Sequence, residues 1–205
     1  MNKLITVIDG FCSRIDEVRK SALESGFGTW APNRGEVGSS NYEGMNFWGR
    51  HSLMLKSLAV AINSAPFPNS VFFRVSNEDT ERAYVHSDRE WGDTTCVAYL
   101  SEHSSVSGTG FFRHRRTGLT VMPTFEEMKE LGIFEELKED MVSGGEDKWE
   151  QLDFVRGLYN RAVIFHAPLF HARCPKHGIG NDEVGGRMIW GCHFKTFTPQ
   201  EMQNV

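Results

Sequence analysis

Apolar residues alternate from Leu4 to Ile8 and run into Asp9-Gly10, which predicts a short strand closed by a turn. Beyond it, Ser13 opens a stretch with Asp16 and Glu17 in its first turn and apolar Ile15, Val18 and Ala22, the pattern of an amphipathic helix capped at its start and stopped near Gly26. Leu53, Leu55, Leu58, Ala59 and Ile62 give a second helix over Ser52 to Ile62, ended by the Pro66-Phe67-Pro68 turn. Between the two helices, Gly28 to Gly49 is rich in Gly, Asn and Ser and reads as a long ordered loop of the kind that often carries function.

From Val71 onward the period changes to two. Val71 to Val75, Tyr84 to His86, Thr95 to Leu100 and Gly110 to His114 are short, rich in aromatic and β-branched residues, and separated by polar turns. Thr124 to Met141 breaks this run. Phe125, Met128, Leu131, Phe134 and Leu137 recur at helical spacing behind a Thr124 cap, with Gly132 as an interruption, which predicts a helical insertion around 124–141. Final strands are expected around Asp153 to Val155, Ala162 to Phe165 and Arg187 to Phe194. Many short strands after two helices point to a mainly β chain with flanking helices (α+β), a double-stranded β-helix (jelly roll) core buttressed by the N-terminal helices.

Composition changes this picture little. At 205 residues, with 40% hydrophobic and 24% charged residues, the chain suits one soluble domain over 1–205. A net charge of −5 argues against a general nucleic-acid surface. The first residues lack a secretory signal pattern and no run is long enough to span a bilayer, so a cytoplasmic protein is expected. Cys12, Cys96, Cys174 and Cys192 lack paired short spacing and read as free thiols rather than a disulfide framework or a zinc knuckle.

The candidate chemistry lies in His86-Ser87-Asp88, with His171 and Arg187 far downstream. On an extended segment His86 and Asp88 point the same way. Two imidazoles and one carboxylate form the ligand set that holds Fe(II) on one face and leaves the other face open. An arginine then suits the far carboxylate of a chelating 2-oxo diacid. By itself, a His-x-Asp pair reads first as a structural hydrogen-bonded pair and only second as a metal site.

The surrounding sequences resolve that choice through a resemblance. Tyr84-Val-His-Ser-Asp-Arg-Glu-Trp-Gly-Asp-Thr-Thr-Cys-Val-Ala-Tyr-Leu-Ser101 resembles the iron-binding strand and loop of the prolyl hydroxylases, within the 2-oxoglutarate/Fe(II)-dependent dioxygenases. Gly108-Thr-Gly-Phe-Phe-Arg113 is similar to the glycine-led strand that follows there. Asn160-Arg-Ala-Val-Ile-Phe-His-Ala-Pro-Leu-Phe-His-Ala-Arg-Cys-Pro175 resembles the distal histidine motif, in which His171 and not His166 falls at the ligand position. Arg187-Met-Ile-Trp-Gly-Cys-His-Phe194 is similar to the last core strand, opened by the basic residue that grips 2-oxoglutarate.

The resemblance implies His86, Asp88 and His171 as metal ligands and catalytic residues, and Arg187 and Tyr99 as 2-oxoglutarate contacts. It implies Fe(II), 2-oxoglutarate and O2 as cofactor and co-substrates, with ascorbate as a candidate reductant. The implied reaction hydroxylates a C–H bond while 2-oxoglutarate is decarboxylated to succinate and CO2. Asp88 disfavours a halogenase, in which a small residue leaves that position to halide. The expected partner is a prolyl residue in a peptide or protein, or a small molecule. A cupin-like isomerase or a catalytically silent metal-binding jelly roll is the alternative. Two features depart from the family: the glycine-rich 178–186 stretch before Arg187, for which Arg173 or Lys176 is the fallback anchor, and the 124–141 insertion, a candidate wall of the substrate cleft.

Other residues carry open readings. His193 is either a substrate contact or an ordinary histidine of the last strand. Arg113-His-Arg-Arg116 reads first as a solvated turn and second as an anion contact. Cys174 and His177 are a weak zinc pair. Trp30, Trp48 and Trp91 are equally suited to a binding surface and to core positions.

Overall fold

The computed structural model describes residues 4–30, 42–46, 49–79, 83–102, 106–143 and 145–196. Strand β1 (Ile5–Asp9) leads to helix α1 (Ile15–Ser25). The helix buries Ile15, Val18 and Ala22 on one face, but the expected Ser13 cap is absent: Arg14 is the N-cap and makes no side-chain capping bond. Within the region read as a loop are two short strands, β2 (Gly28–Trp30) and β3 (Tyr42–Asn46). Trp48 and the Trp30 side chain lie outside the described residues.

Helix α2 (Ser52–Ile62) spans the range its periodicity predicts and buries Met54 and Leu58. Asn63, in the left-handed conformation at φ 51°, closes it ahead of the prolines. Strand β4 (Phe67–Ser76) starts earlier than expected, and the turn predicted at Pro66-Phe67-Pro68 is instead largely strand. Pro68 fits because the pairing shifts register opposite it, between His193 and Phe194, where a missing N–H breaks no regular ladder.

The remaining core strands are β5 (Thr94–Tyr99), β6 (Gly108–His114), β7 (Trp149–Arg156), β8 (Arg161–His166), β9 (His171–Cys174) and β10 (Arg187–Lys195). Between β6 and β7 lie α3 (Phe125–Glu130) and α4 (Phe134–Ser143). Thr124 and Glu127 form a reciprocal capping box, and Gly132, at φ 65°, separates the two helices. The 124–141 stretch thus holds two helices, separated at Gly132.

The strands form a seven-stranded sheet, β1-β8-β5-β10-β4-β3-β2, and a three-stranded sheet, β7-β6-β9. Every pairing is antiparallel. From β4 onward the chain passes back and forth between the two sheets. Tyr99, Val163, Phe165 and Ile189 of the large sheet meet Phe111 and Val155 of the small one in a shared buried cluster, so the inner faces are apposed. On the other face of the large sheet, α1 and α2 cover Phe73, Val75, Ala98 and Trp190. Complete burial of side chains the size of Met54 and Leu58 contributes roughly 1.5–3 kcal/mol each.

Met128, Ile133 and Leu137 of the insertion meet Phe112, Trp149 and Ala172, which alternate with inward-facing Phe111 and His171. The helices therefore cover the outer face of the small sheet, and the expectation that they wall the cleft is corrected. Among the described residues no helix is long and apolar enough to cross a membrane.

Candidate metal centre

Tyr84 to His86 was expected to be a strand, but only His86 pairs, in an isolated bridge to His171. The two residues exchange both backbone hydrogen bonds at 2.9 Å. The chain then turns: the Asp88 N–H donates to the Ala167 carbonyl at 3.0 Å, and the Trp91 N–H donates to the Asp88 carbonyl at 2.9 Å. This one bridge brings the distant histidine beside the His-x-Asp pair. His171 opens β9, a strand of its own that the sequence pattern missed.

The two imidazoles are oriented alike. His86 Nδ1 lies 2.9 Å from the Tyr84 carbonyl and His171 Nδ1 lies 2.8 Å from the Leu169 carbonyl. A carbonyl only accepts, so each Nδ1 carries a proton and Nε2 is the nitrogen left to face a metal. Those Nε2 atoms lie 3.7 Å (His86) and 3.1 Å (His171) from oxygens of Asp88, and the rings are 4.4 Å apart. One ligand atom from each of the three residues falls within 4.8 Å of the others, close enough to share one ion. The backbone bonds to Nδ1 are the outer support that metal-ligating histidines use.

Electrostatics agree with a ligand set. Burial alone would raise the Asp88 carboxyl, but His193 and His171 hold it well below the usual carboxylate range, so it is charged. Desolvation, followed by the charge of His171, pushes His86 down to about 4. Since 48% of the His86 side chain meets solvent, water tempers that shift, yet the ring is neutral at pH 7 in either case. His171 is raised despite its burial because Asp88 faces it.

Two further groups reach Asp88 Oδ2: Thr95 Oγ1 donates to it at 2.9 Å, and His193 Nε2 lies 3.3 Å away. Neither was assigned to the centre from sequence. His193 had a usable signal, since its even spacing from Arg187 on one strand puts both on one face.

Arg187 is the first residue of β10, paired with Ser76, so the 178–186 stretch is looped out as expected. A β-carbon on Gly178 would come within 1.5 Å of the Asn77 carbonyl oxygen, so the loop's close approach to β4 requires glycine there. The Arg187 guanidinium is buried, donates to the Gly108 carbonyl at 3.3 Å and sits 5.4 Å from the centre of the Tyr99 ring. Its Nε has no hydrogen-bond partner, the kind of buried donor that a carboxylate ligand satisfies. The Tyr99 hydroxyl is bonded to Thr109 Oγ1 at 2.7 Å. Burial raises Tyr99, with Arg187 pulling the other way, so it stays a neutral phenol.

Arg173, the fallback anchor, is buried on β9, where desolvation and the nearby Arg74 and Arg187 push it down to about 9. Clustered buried guanidiniums favour an anion among them.

The other candidates fall elsewhere. His166 is exposed with Nδ1 near the Asp93 carbonyl, and His177 is exposed; neither belongs to a ligand group. All four cysteines are free. Arg113 pairs with Glu150 and Arg116 with Glu136, so two of the turn's three arginines are partnered within the protein. His114, in the same turn, is fully buried and belongs to a second close group with Glu136 and Asp140.

In its fold the chain is similar to the non-heme alpha ketoglutarate dependent carbocyclase SnoK from nogalamycin biosynthesis, with 15% identity, 94% of this chain and 79% of that chain covered, and a TM-score of 0.51. It is also similar to the epimerase SnoN from the same biosynthesis, with 12% identity, coverages of 92% and 77%, and a TM-score of 0.53. A third likeness is to HygX from Streptomyces hygroscopicus, solved with nickel, 2-oxoglutarate and hygromycin B, with 13% identity, coverages of 92% and 81%, and a TM-score of 0.53. At these identities the likeness is one of fold. No curated protein matches the chain in sequence. Residues 78–191, more than half of the chain and the stretch holding His86, Asp88, His171 and Arg187, match the family described as "Family of unknown function (DUF6445)", and the chain belongs to that family.

Proposed function

We propose that this protein is an Fe(II)- and 2-oxoglutarate-dependent oxygenase built on a double-stranded β-helix, and that it hydroxylates a C–H bond of a small molecule. The observation that carries this reading is the convergence of two Nδ1-anchored imidazoles and a charged carboxylate on one point, with Arg187 on the same inner face. The nickel and 2-oxoglutarate in HygX and the cofactor dependence named for SnoK and SnoN support it.

The residues fit the cofactors. His86 and His171 offer neutral Nε2 lone pairs and Asp88 one negative charge, so bound Fe(II) would retain positive charge and favour an anionic chelator. When bound, Fe(II) and 2-oxoglutarate supply the oxidising power: O2 gives one oxygen atom to the substrate C–H bond and one to succinate, with release of CO2. Arg187 receives the far carboxylate through its open Nε, and Arg173 adds positive charge nearby. Tyr99, fixed by Thr109, holds the Arg187 guanidinium over its ring. Phe111, Val163, Phe165 and Ile189 form an apolar interior that keeps bulk water away. The exposed edge of His86 leaves the centre open to a substrate, beside the partly exposed Trp91.

Two substrate classes compete. The His-x-Asp and distal motifs resemble those of prolyl hydroxylases and favour a prolyl peptide, whereas hygromycin B in HygX favours a small molecule. A cupin-like isomerase or silent module has no use for a buried arginine with an open Nε.

The test is succinate formation from 2-oxoglutarate with added Fe(II), followed by a screen of metabolites and prolyl peptides for the mass gain of one oxygen atom. Absence of both 2-oxoglutarate binding and uncoupled turnover rejects the enzyme. Oxygen gain in a prolyl peptide alone rejects the small-molecule class.

A further inference from the structure

Along the inner face of β10, Arg187, Ile189, Gly191 and His193 alternate. His193 is 8% exposed and flanked by aromatic rings, Phe72 at 5.6 Å and Trp91 at 6.2 Å in a stacked arrangement. Gly191 makes room for this: a β-carbon there would meet the Phe72 ring at 2.4 Å. In such surroundings an apolar side chain would be the ordinary occupant. Instead the position holds an imidazole whose Nδ1 is buried without a hydrogen-bond partner. That is an unfavourable arrangement unless the other nitrogen has a use. His193 Nε2 lies 3.3 Å from Asp88 Oδ2, which already accepts from Thr95 Oγ1 at 2.9 Å.

We infer that His193 is a positioning residue for the metal centre: with Thr95 it pins the Asp88 carboxylate through Oδ2 and sets the orientation in which Asp88 meets the ion. The inference rests on the proposed use of His86, Asp88 and His171 as ligands. It assigns His193 no bond to the metal. His86 and His171 have Nδ1 tied to a backbone carbonyl and bring Nε2 into the close group with Asp88, whereas His193 stands outside that group, has Nδ1 unbonded and reaches only Asp88 Oδ2, which its Nε2 meets as a donor. Two donors on one oxygen stop the carboxylate from rotating away, the outer support that metal-bound carboxylates require.

Titration of the full chain with Co(II), followed by its visible absorption, tests this. His193→Phe should weaken Co(II) affinity about 10- to 100-fold and alter the ligand-field bands, while His193→Gln, which keeps an N–H donor, should recover most of the affinity. Wild-type affinity in His193→Phe overturns the inference. Wild-type protein that takes up no Co(II) overturns the metal reading beneath it. Independently of any variant's folding, spectra of 15N-histidine-labelled wild-type protein with Zn(II) should show two imidazoles bound through Nε2 and His193 still protonated there. A third metal-bound imidazole would make His193 a ligand and overturn the inference.

Discussion

Two clusters of the same residue types stand in this molecule. In one, His86, Asp88 and His171 converge; in the other, His114 joins Asp140 and Glu136, and each set has ligand atoms within 4.8 Å of one another. The difference lies in where the lone pairs and protons go. His114 has both ring nitrogens engaged, Nδ1 with Thr117 Oγ1 at 2.9 Å and Nε2 with Asp140 Oδ2 at 2.9 Å, and Glu136 is paired with Arg116. The Asp140 carbonyl also accepts from the Trp149 indole at 3.3 Å. That cluster is closed, and it ties α4 to the end of β6. In the first, backbone carbonyls take the Nδ1 protons and leave both Nε2 atoms facing one charged carboxylate, where an ion can take the place of a proton. On the proposed reading, the two clusters are told apart not by the proximity of His and Asp but by the partner of the second ring nitrogen.

The comparison breaks most visibly at the metal. Asp88→Asn should abolish metal binding. Ni(II) at a hundred times the wild-type Kd should stabilise the wild-type fold by about 2.7 kcal/mol and leave the variant's melting temperature unmoved. Calorimetric titration should count one ion per chain; a second ion lost on His114→Ala would make the closed cluster a metal site after all. Next in size, Arg187→Ala should weaken 2-oxoglutarate binding by about 3 kcal/mol, over a hundredfold, with metal affinity nearly intact. Unchanged 2-oxoglutarate affinity would transfer the anchoring role to Arg173 or Lys176.

The closed cluster should answer in stability instead. His114→Ala leaves Asp140 without its buried partner and should cost about 2.5 kcal/mol in urea unfolding, with one ion still bound. Thr124→Ala removes the capping box of α3 and should cost about 1 kcal/mol by the same measurement. Smallest of all, Arg113→Ala breaks a solvent-screened surface pair with Glu150 and should leave the urea-unfolding midpoint essentially unchanged. A clear loss there would mean that the basic turn bears on the closed cluster.

Legibility in the sequence followed the range of the interactions. Helix α2 and the Thr124 cap were readable because period and capping act over a few residues. Strand β9 was not, since its four residues carry no alternation long enough to register and it exists through pairing with β6 and His86. Strands β2 and β3 sit among glycines and polar residues whose local preference is for turns. The burial of His114 was hidden in a basic turn that looked solvated from its neighbours Arg113, Arg115 and Arg116.

By itself the sequence determined which side chains were available for chemistry: a His-x-Asp pair, a distant histidine, and an arginine opening the last strand. Only the tertiary structure decided that the His86–His171 bridge joins the first two, that His193 and Thr95 share one oxygen of Asp88, and that His114 is closed while His86 is open. Residue identity sets which atoms can donate or accept; which of them meet depends on strand register between segments far apart in the chain, and no local pattern encodes that.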